Sequence, residues 1–238
     1  MSKYRFLLFD ADNTLFDFTK AEHISFMDTC FACNITYSEE LYRKYSLIND
    51  RLWKRLEKKE VTLDFIKVER FRELLCLLDF DKSITTQELF AKAAEMRDTY
   101  MSKLGWQTWL IDGAEEICQT LSQKYDMYIV TNGVAKTQHS RFDASSIKKY
   151  FNGIFISEEI GFAKPDARFF EYVMRETGGD TAARDEYLVI GDSPTSDYRG
   201  ALNAGLDMCL FSPTGTVYDE TVKPAYTIMK LSELYDIL

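Results

Sequence analysis

Hydrophobic positions along this chain change their period twice. From Tyr4 to Phe9 they run almost without interruption, stop at Asp10, and after Thr14 take on a helical spacing that lasts to about residue 103. From Trp106 onward, short apolar runs alternate with helical stretches. A continuous apolar run fits a strand buried on both faces of a parallel sheet. Alternation of such runs with helices predicts an α/β fold, a doubly wound parallel sheet of the Rossmann-like kind. Further strands are expected at 127–130, 154–156, 187–190, 208–211 and 226–229, with helices at 114–123, 134–147, 168–176 and 195–204 and a last short one near Ser232.

The helical block between the first two strands resolves into four amphipathic segments. Ala21, Ile24, Met27 and Phe31 form a first stripe, and Thr36 to Glu39 reads as a capping box before a second helix with Leu41, Tyr45, Ile48, Leu52 and Leu56 on one face. Thr62 is placed to cap a third helix over 63–78. Thr85 to Glu88 forms another capping box, before a fourth helix carrying Leu89, Ala93, Met96, Tyr100 and Met101. Because the N-terminal strand belongs with the later ones, this four-helix block is an insertion into the sheet domain. The predicted division is 1–16 with 104–238 for the sheet domain and 17–103 for the insertion.

Charge sharpens that division. Residues 17–103 hold 15 Lys and Arg against 16 Asp and Glu, and the remainder hold 14 against 22, out of a net charge of -9. An acidic sheet domain argues against nucleic-acid polymers, which bind to basic surfaces, but leaves small phosphorylated ligands open. No apolar run approaches the roughly 18 residues of a membrane span, and the N-terminus lacks a signal-peptide core, so the expectation is a cytoplasmic protein without a membrane partner. The 238 residues, 46% apolar and 14% aromatic, suffice for a substantial core. Five cysteines and two histidines are too scattered for a zinc site, and Cys30-Phe31-Ala32-Cys33 ends a helix rather than opening one after a strand, so these thiols read as packed and reduced.

Candidate chemistry sits where the strands end, which is where parallel sheets bind ligands. The first strand runs into Asp10-Ala11-Asp12-Asn13-Thr14, whose two carboxylates point to one side and repel unless a cation or a shared proton intervenes. The second ends in Thr131-Asn132-Gly133, where a hydroxyl, an amide and helix-start N–H groups suit a phosphate oxygen. After the third comes Gly161-Phe162-Ala163-Lys164-Pro165-Asp166, with a cation beside a fixed turn. The fourth ends in Gly191-Asp192-Ser193-Pro194-Thr195-Ser196-Asp197, an acidic pair of hard oxygen ligands that suits Mg²⁺ better than zinc. Each string alone also reads as an ordinary turn or helix cap. Their joint placement at successive strand ends is what points to chemistry.

In this order, the four strings resemble motifs I to IV of the haloacid dehalogenase superfamily, and the insertion resembles that family's helical cap of the first type. The resemblance implies a phosphatase in which Asp10 is the nucleophile and forms an aspartyl-phosphate, and Asp12 is the general acid and base. It further implies Mg²⁺ held by Asp10, Asp192 and the main-chain carbonyl of Asp12. Thr131, Asn132 and Lys164 would hold the phosphate, and Asp197 would orient a metal-bound water or Lys164. Asp12 itself disfavours carbon–halogen and phosphonate substrates, because relatives acting on those lack this acid.

The strings around these motifs are similar to bacterial pyrimidine 5'-nucleotidases of the superfamily, although Asn13 stands where many relatives have glycine. A nucleoside monophosphate is therefore the expected partner. Phe16 and Phe18, at the entry to the insertion, are candidates to stack on a base or else pack the junction, and Trp106 and Trp109 at its exit carry the same two readings. Two alternatives stay open: a phosphatase or mutase for phosphosugars or phosphoglycolate, and a non-catalytic phosphate-accepting module.

Overall fold

The run that opens the chain becomes β1 (Phe6–Phe9), the inner strand of a six-stranded parallel sheet in a computed structural model that describes residues 3–79, 84–179, 182–216 and 221–238. Successive side chains of a strand point to opposite faces. Leu7 and Phe9 enter one core with Met127, Ile129 and Ile190, while Phe6 and Leu8 enter another with Val130, Val189 and Phe169. Neither face of β1 meets water, so no polar residue interrupts it.

The sheet continues with β2 (Asp126–Thr131), β3 (Gly153–Ile156), β4 (Tyr187–Gly191), β5 (Asp207–Phe211) and β6 (Tyr226–Ile228), in the order β3-β2-β1-β4-β5-β6. Phe9 pairs with Ile129 on one side and Ile190 on the other, so the tips of β2, β1 and β4 lie in register. The strand order reverses at β1, the switch point at which open parallel sheets bind ligands.

Helices cover both faces. The core containing Leu7 and Phe9 is closed by α5 (Ala114–Leu121), by Phe142 of α6 (Ala135–Ala144) and by the C-terminal turn Leu231–Asp236. The opposite core is closed by α8 (Ala167–Gly178) and α9 (Arg199–Ala204). A single-turn helix, α7 (Ser157–Ile160), follows β3 and has no counterpart in the sequence pattern. The helix expected over 195–204 begins instead as a wider turn, Pro194–Tyr198, before α9.

The chain divides into two units, Met1–Phe18 with Thr108–Leu238, and Thr19–Gln107. The boundaries expected from sequence, after residues 16 and 103, lie slightly ahead of these. The second unit holds most of α1 (Phe18–Ala32), with α2 (Glu39–Glu57), α3 (Leu63–Leu77) and α4 (Thr86–Leu104). Thr62 and Thr85 cap α3 and α4 as expected, the latter through a capping box with Glu88. The cap of α2 is Ser38, whose hydroxyl accepts from the Leu41 N–H, and not Thr36.

The buried face of α1 also differs from the expected stripe. Phe31 is exposed, while Ser25 and Thr29 are buried beside Ala21, Phe26 and Cys30. Their hydroxyls donate to the carbonyls of Ala21 and Ser25, both at 2.6 Å, so these polar groups need no water. All five cysteines are free thiols. Among the described residues, no helix is long and apolar enough to cross a membrane.

Candidate active site

Asp10 lies one residue beyond β1, and its N–H still donates to the Ile190 carbonyl, so the sheet ladder fixes its backbone. Its carboxylate accepts from the Lys164 ammonium at 2.6 Å. The same ammonium donates to Asp197 at 2.6 Å and to the Val130 carbonyl at 2.8 Å. Lys164 is almost fully buried, yet each of its donors has an acceptor. Burial alone would lower its pKa, but Asp10 and Asp197 hold it above its ordinary value. The ammonium therefore stays charged.

The backbone of Lys164 is fixed from β2. The Asn132 carboxamide donates to the Lys164 carbonyl at 2.8 Å and accepts from the Lys164 N–H at 2.9 Å. Paired at both ends with the Lys164 backbone, the Asn132 side chain positions the lysine. Thr131, buried at the tip of β2, accepts the Gly133 N–H on its hydroxyl oxygen at 3.1 Å.

Asp192 follows β4, and the turn after it returns Asp197 to the strand tip, where its second carboxylate oxygen accepts the Ser193 N–H at 3.0 Å. Gly191 makes this return possible, because a β-carbon there would overlap the Asp197 carboxylate. Carboxylate oxygens of Asp10, Asp192 and Asp197 all lie within 4.8 Å of one another. Burial, reinforced by Asp197, pushes the Asp192 carboxyl up to about 7. Burial also pushes Asp10 well above the usual carboxylate range, with Lys164 opposing and Asp197 and Asp192 adding to the shift.

Three carboxylates against one ammonium leave an excess of two negative charges. The donors are all hard oxygens, and the charge is that of one divalent cation, so the set fits Mg²⁺. The Asp12 carboxylate stands outside this cluster. One oxygen accepts from Arg141 Nη1 at 2.5 Å and the other from Gln138 Nε2 at 2.7 Å. Two aspartates two residues apart are thus held by entirely different partners.

A sequence profile of haloacid dehalogenase-like hydrolases matches residues 4–205, which include every motif residue above. The chain belongs to this family. Over 238 residues it is 37% identical to the HAD-hydrolase YfnB of Bacillus subtilis, covering 100% of this chain and 97% of that one. The crystal structure of YfnB bound to magnesium superposes with a TM-score of 0.88 at 35% identity, covering 98% of each chain. The pyrimidine 5'-nucleotidase PynA of Streptococcus pneumoniae is 30% identical over 99% of this chain and 95% of its own length. The pyrimidine 5'-nucleotidase YjjG of Escherichia coli is 25% identical over 99% and 98%.

Within this haloacid dehalogenase-like site, one candidate is displaced. Phe16 is 1% exposed and packs in the core beside Leu15 and Ile117, so its ring has no face to offer a base. Phe18 is only partly buried. Sequence reasoning passed over Gln138 and Arg141, because a Gln and an Arg on a polar helix read as solvated surface. Their only signal was the i, i+3 spacing on the helix that follows Thr131-Asn132-Gly133.

Proposed function

We propose that the protein is a Mg²⁺-dependent phosphomonoester hydrolase that works through an aspartyl-phosphate on Asp10, with nucleoside monophosphates, pyrimidine ones foremost, as its substrates. The observation that carries this reading is the division of labour between Asp10 and Asp12. Asp10 is clamped by Lys164 within an acidic cluster, while Asp12 is held apart from that cluster by an amide and a guanidinium. A nucleophile and a proton carrier require such separate surroundings. A phosphate-binding module has no use for the second carboxylate. The nucleotide preference draws support from PynA and YjjG, both named pyrimidine 5'-nucleotidases.

In this mechanism an Asp10 oxygen attacks phosphorus, and the ester oxygen departs with a proton from Asp12. A water then attacks the phosphorus of the aspartyl-phosphate and gives its proton to Asp12. Inorganic phosphate is released and Asp10 is restored. The Lys164 ammonium offsets the repulsion between the Asp10 carboxylate and an incoming phosphate, and the Thr131 hydroxyl stands at the adjacent strand tip to meet its oxygens. Asp10 and Asp192, with Asp197 beside them and the Asp12 carbonyl, would hold Mg²⁺, which when bound supplies positive charge against the phosphate dianion.

The test is phosphate release, with and without Mg²⁺, from pyrimidine and purine monophosphates beside phosphoglycolate and sugar phosphates. Asp10→Asn serves as the control. The expected result is metal-dependent preference for pyrimidine monophosphates, abolished in the variant. Preference for a sugar phosphate would overturn the substrate assignment, and no release from any ester would overturn the catalytic one.

A further inference from the structure

Gln138 and Arg141 sit one turn apart on the same face of α6 and are 3% and 0% exposed. Both are long polar side chains that ordinarily lie in water. Here each donates to a different oxygen of the Asp12 carboxylate, at 2.7 Å and 2.5 Å. Two donors on two oxygens fix the plane of a carboxylate as well as its position. One donor would leave it free to swing.

We propose that Gln138 and Arg141 are positioning residues for Asp12, an inference that rests on the proton-transfer role proposed for that residue. Neither donor atom can accept a proton, so both fill acceptor positions on the α6 side of the carboxylate. The proton that Asp12 gives up is confined to the lone pairs facing away from α6. The support behind the two donors is built in. Gly133 leaves the space Gln138 occupies, since a β-carbon there would overlap its amide nitrogen. The Arg141 guanidinium is held against the rings of Phe16 and Phe18, at 4.9 and 5.7 Å from their centroids. Buried Phe16 thereby acts on the site through Arg141 and not by touching a substrate.

In the first step, transfer to Asp10, a displaced acid harms only those leaving groups that need a proton, so the quantity measured is the alcohol or nitrophenolate released and not the phosphate. The test uses the Mg²⁺-loaded enzyme in excess, in single-turnover quench experiments with two esters. One is the alkyl phosphate turned over fastest in the panel above. The other is 4-nitrophenyl phosphate, whose nitrophenolate leaves unprotonated. Gln138→Met keeps volume and removes the donor, Gly133→Ala pushes the amide aside without altering any donor, and Arg141→Lys retains a donor of different reach. Asp12→Asn is the reference.

The expected first-turnover rate on the alkyl ester falls about ten- to a hundred-fold in Gln138→Met and Gly133→Ala, against the 10²–10⁴ that general acids supply. It falls less in Arg141→Lys, and the aryl ester stays within about three-fold in Gln138→Met and Arg141→Lys. If Asp12→Asn splits the two esters and the α6 variants slow both equally or neither, the positioning role is overturned and that of Asp12 stands. If Asp12→Asn itself shows no split, both fall. Should buried Arg141 tolerate no substitution, as judged by thermal melts, Gln138→Met and Gly133→Ala decide the matter.

Discussion

Replacing Lys164 with methionine removes a buried charge while nearly keeping its volume. The Nζ atom is bonded to Asp10, Asp197 and the Val130 carbonyl, and Asp192 lies in the same cluster. Its removal leaves the buried carboxylates of Asp10 and Asp197, and the partly buried one of Asp192, without a cation. Deleting one partner of a buried ion pair costs roughly 3–5 kcal/mol, and this loss is expected in the metal-free protein at about pH 8.

The loss should shrink on acidification. Folded-state carboxyls with raised pKa values bind protons that the unfolded chain does not, so their destabilisation grows as pH rises and fades as it falls towards the unfolded value of about 4. Added Mg²⁺ should restore part of the stability, because it supplies the missing positive charge and binds only the folded state. Native-state hydrogen exchange of the β1, β2 and β4 amides reads the sheet domain without interference from the helical unit. A Lys164→Met protein whose strand amides are protected as in wild type at about pH 8, in chelator, would refute the claim that the lysine holds these carboxylates in place.

Two further outcomes follow from the same geometry. Mg²⁺ binding should release protons and weaken as pH falls through about 7, because Asp192 and Asp10 titrate above the ordinary carboxylate range; calorimetry in two buffers of different ionisation enthalpy measures this, and no proton release between about pH 6 and 8 would contradict it. Phe16→Ala should cost about 3–5 kcal/mol of sheet-domain stability as a cavity in a packed core; a selective rise in KM for nucleotides with stability unchanged would instead restore direct contact with a base.

The parts of the site that could be read from sequence are those encoded in short strings. Asp10, Asp12, Thr131 and Asp192 stand at or just past an apolar run, and a strand that ends at the tip of a parallel sheet delivers its next residues to one place, whereas Lys164 arrives by way of α7 and a short loop after β3. Charge balance was legible too, since paired carboxylates at a strand tip demand a cation. What escaped was burial imposed from elsewhere in the fold. Ser25 and Thr29 look polar along α1 but satisfy themselves on its own carbonyls, so they pack inward where Phe31 was expected. Ser38 displaced Thr36 because α2 begins two residues later than the capping-box pattern suggested, a difference of local hydrogen bonding alone. Arg141 resembles any surface arginine until the β1 tip and α6 are brought together.

The stretch around Phe16 has one more consequence. Where the chain leaves the sheet domain and where it returns, the two strands of backbone are already stitched together: the Asp17 N–H donates to the Trp109 carbonyl at 2.9 Å, the Ile111 N–H donates to the Leu15 carbonyl at 2.9 Å, and Phe16 bridges Leu110. Everything between is, to the sheet domain, a loop whose ends are held closed by the domain's own hydrogen bonds. The entropy of closing a loop grows only slowly with its length, so such a neck tolerates inserts of very different size. A lineage can then exchange the helical unit without disturbing Asp10, Lys164 or Asp192. The sheet domain and its insert are thus free to evolve at separate rates in one chain.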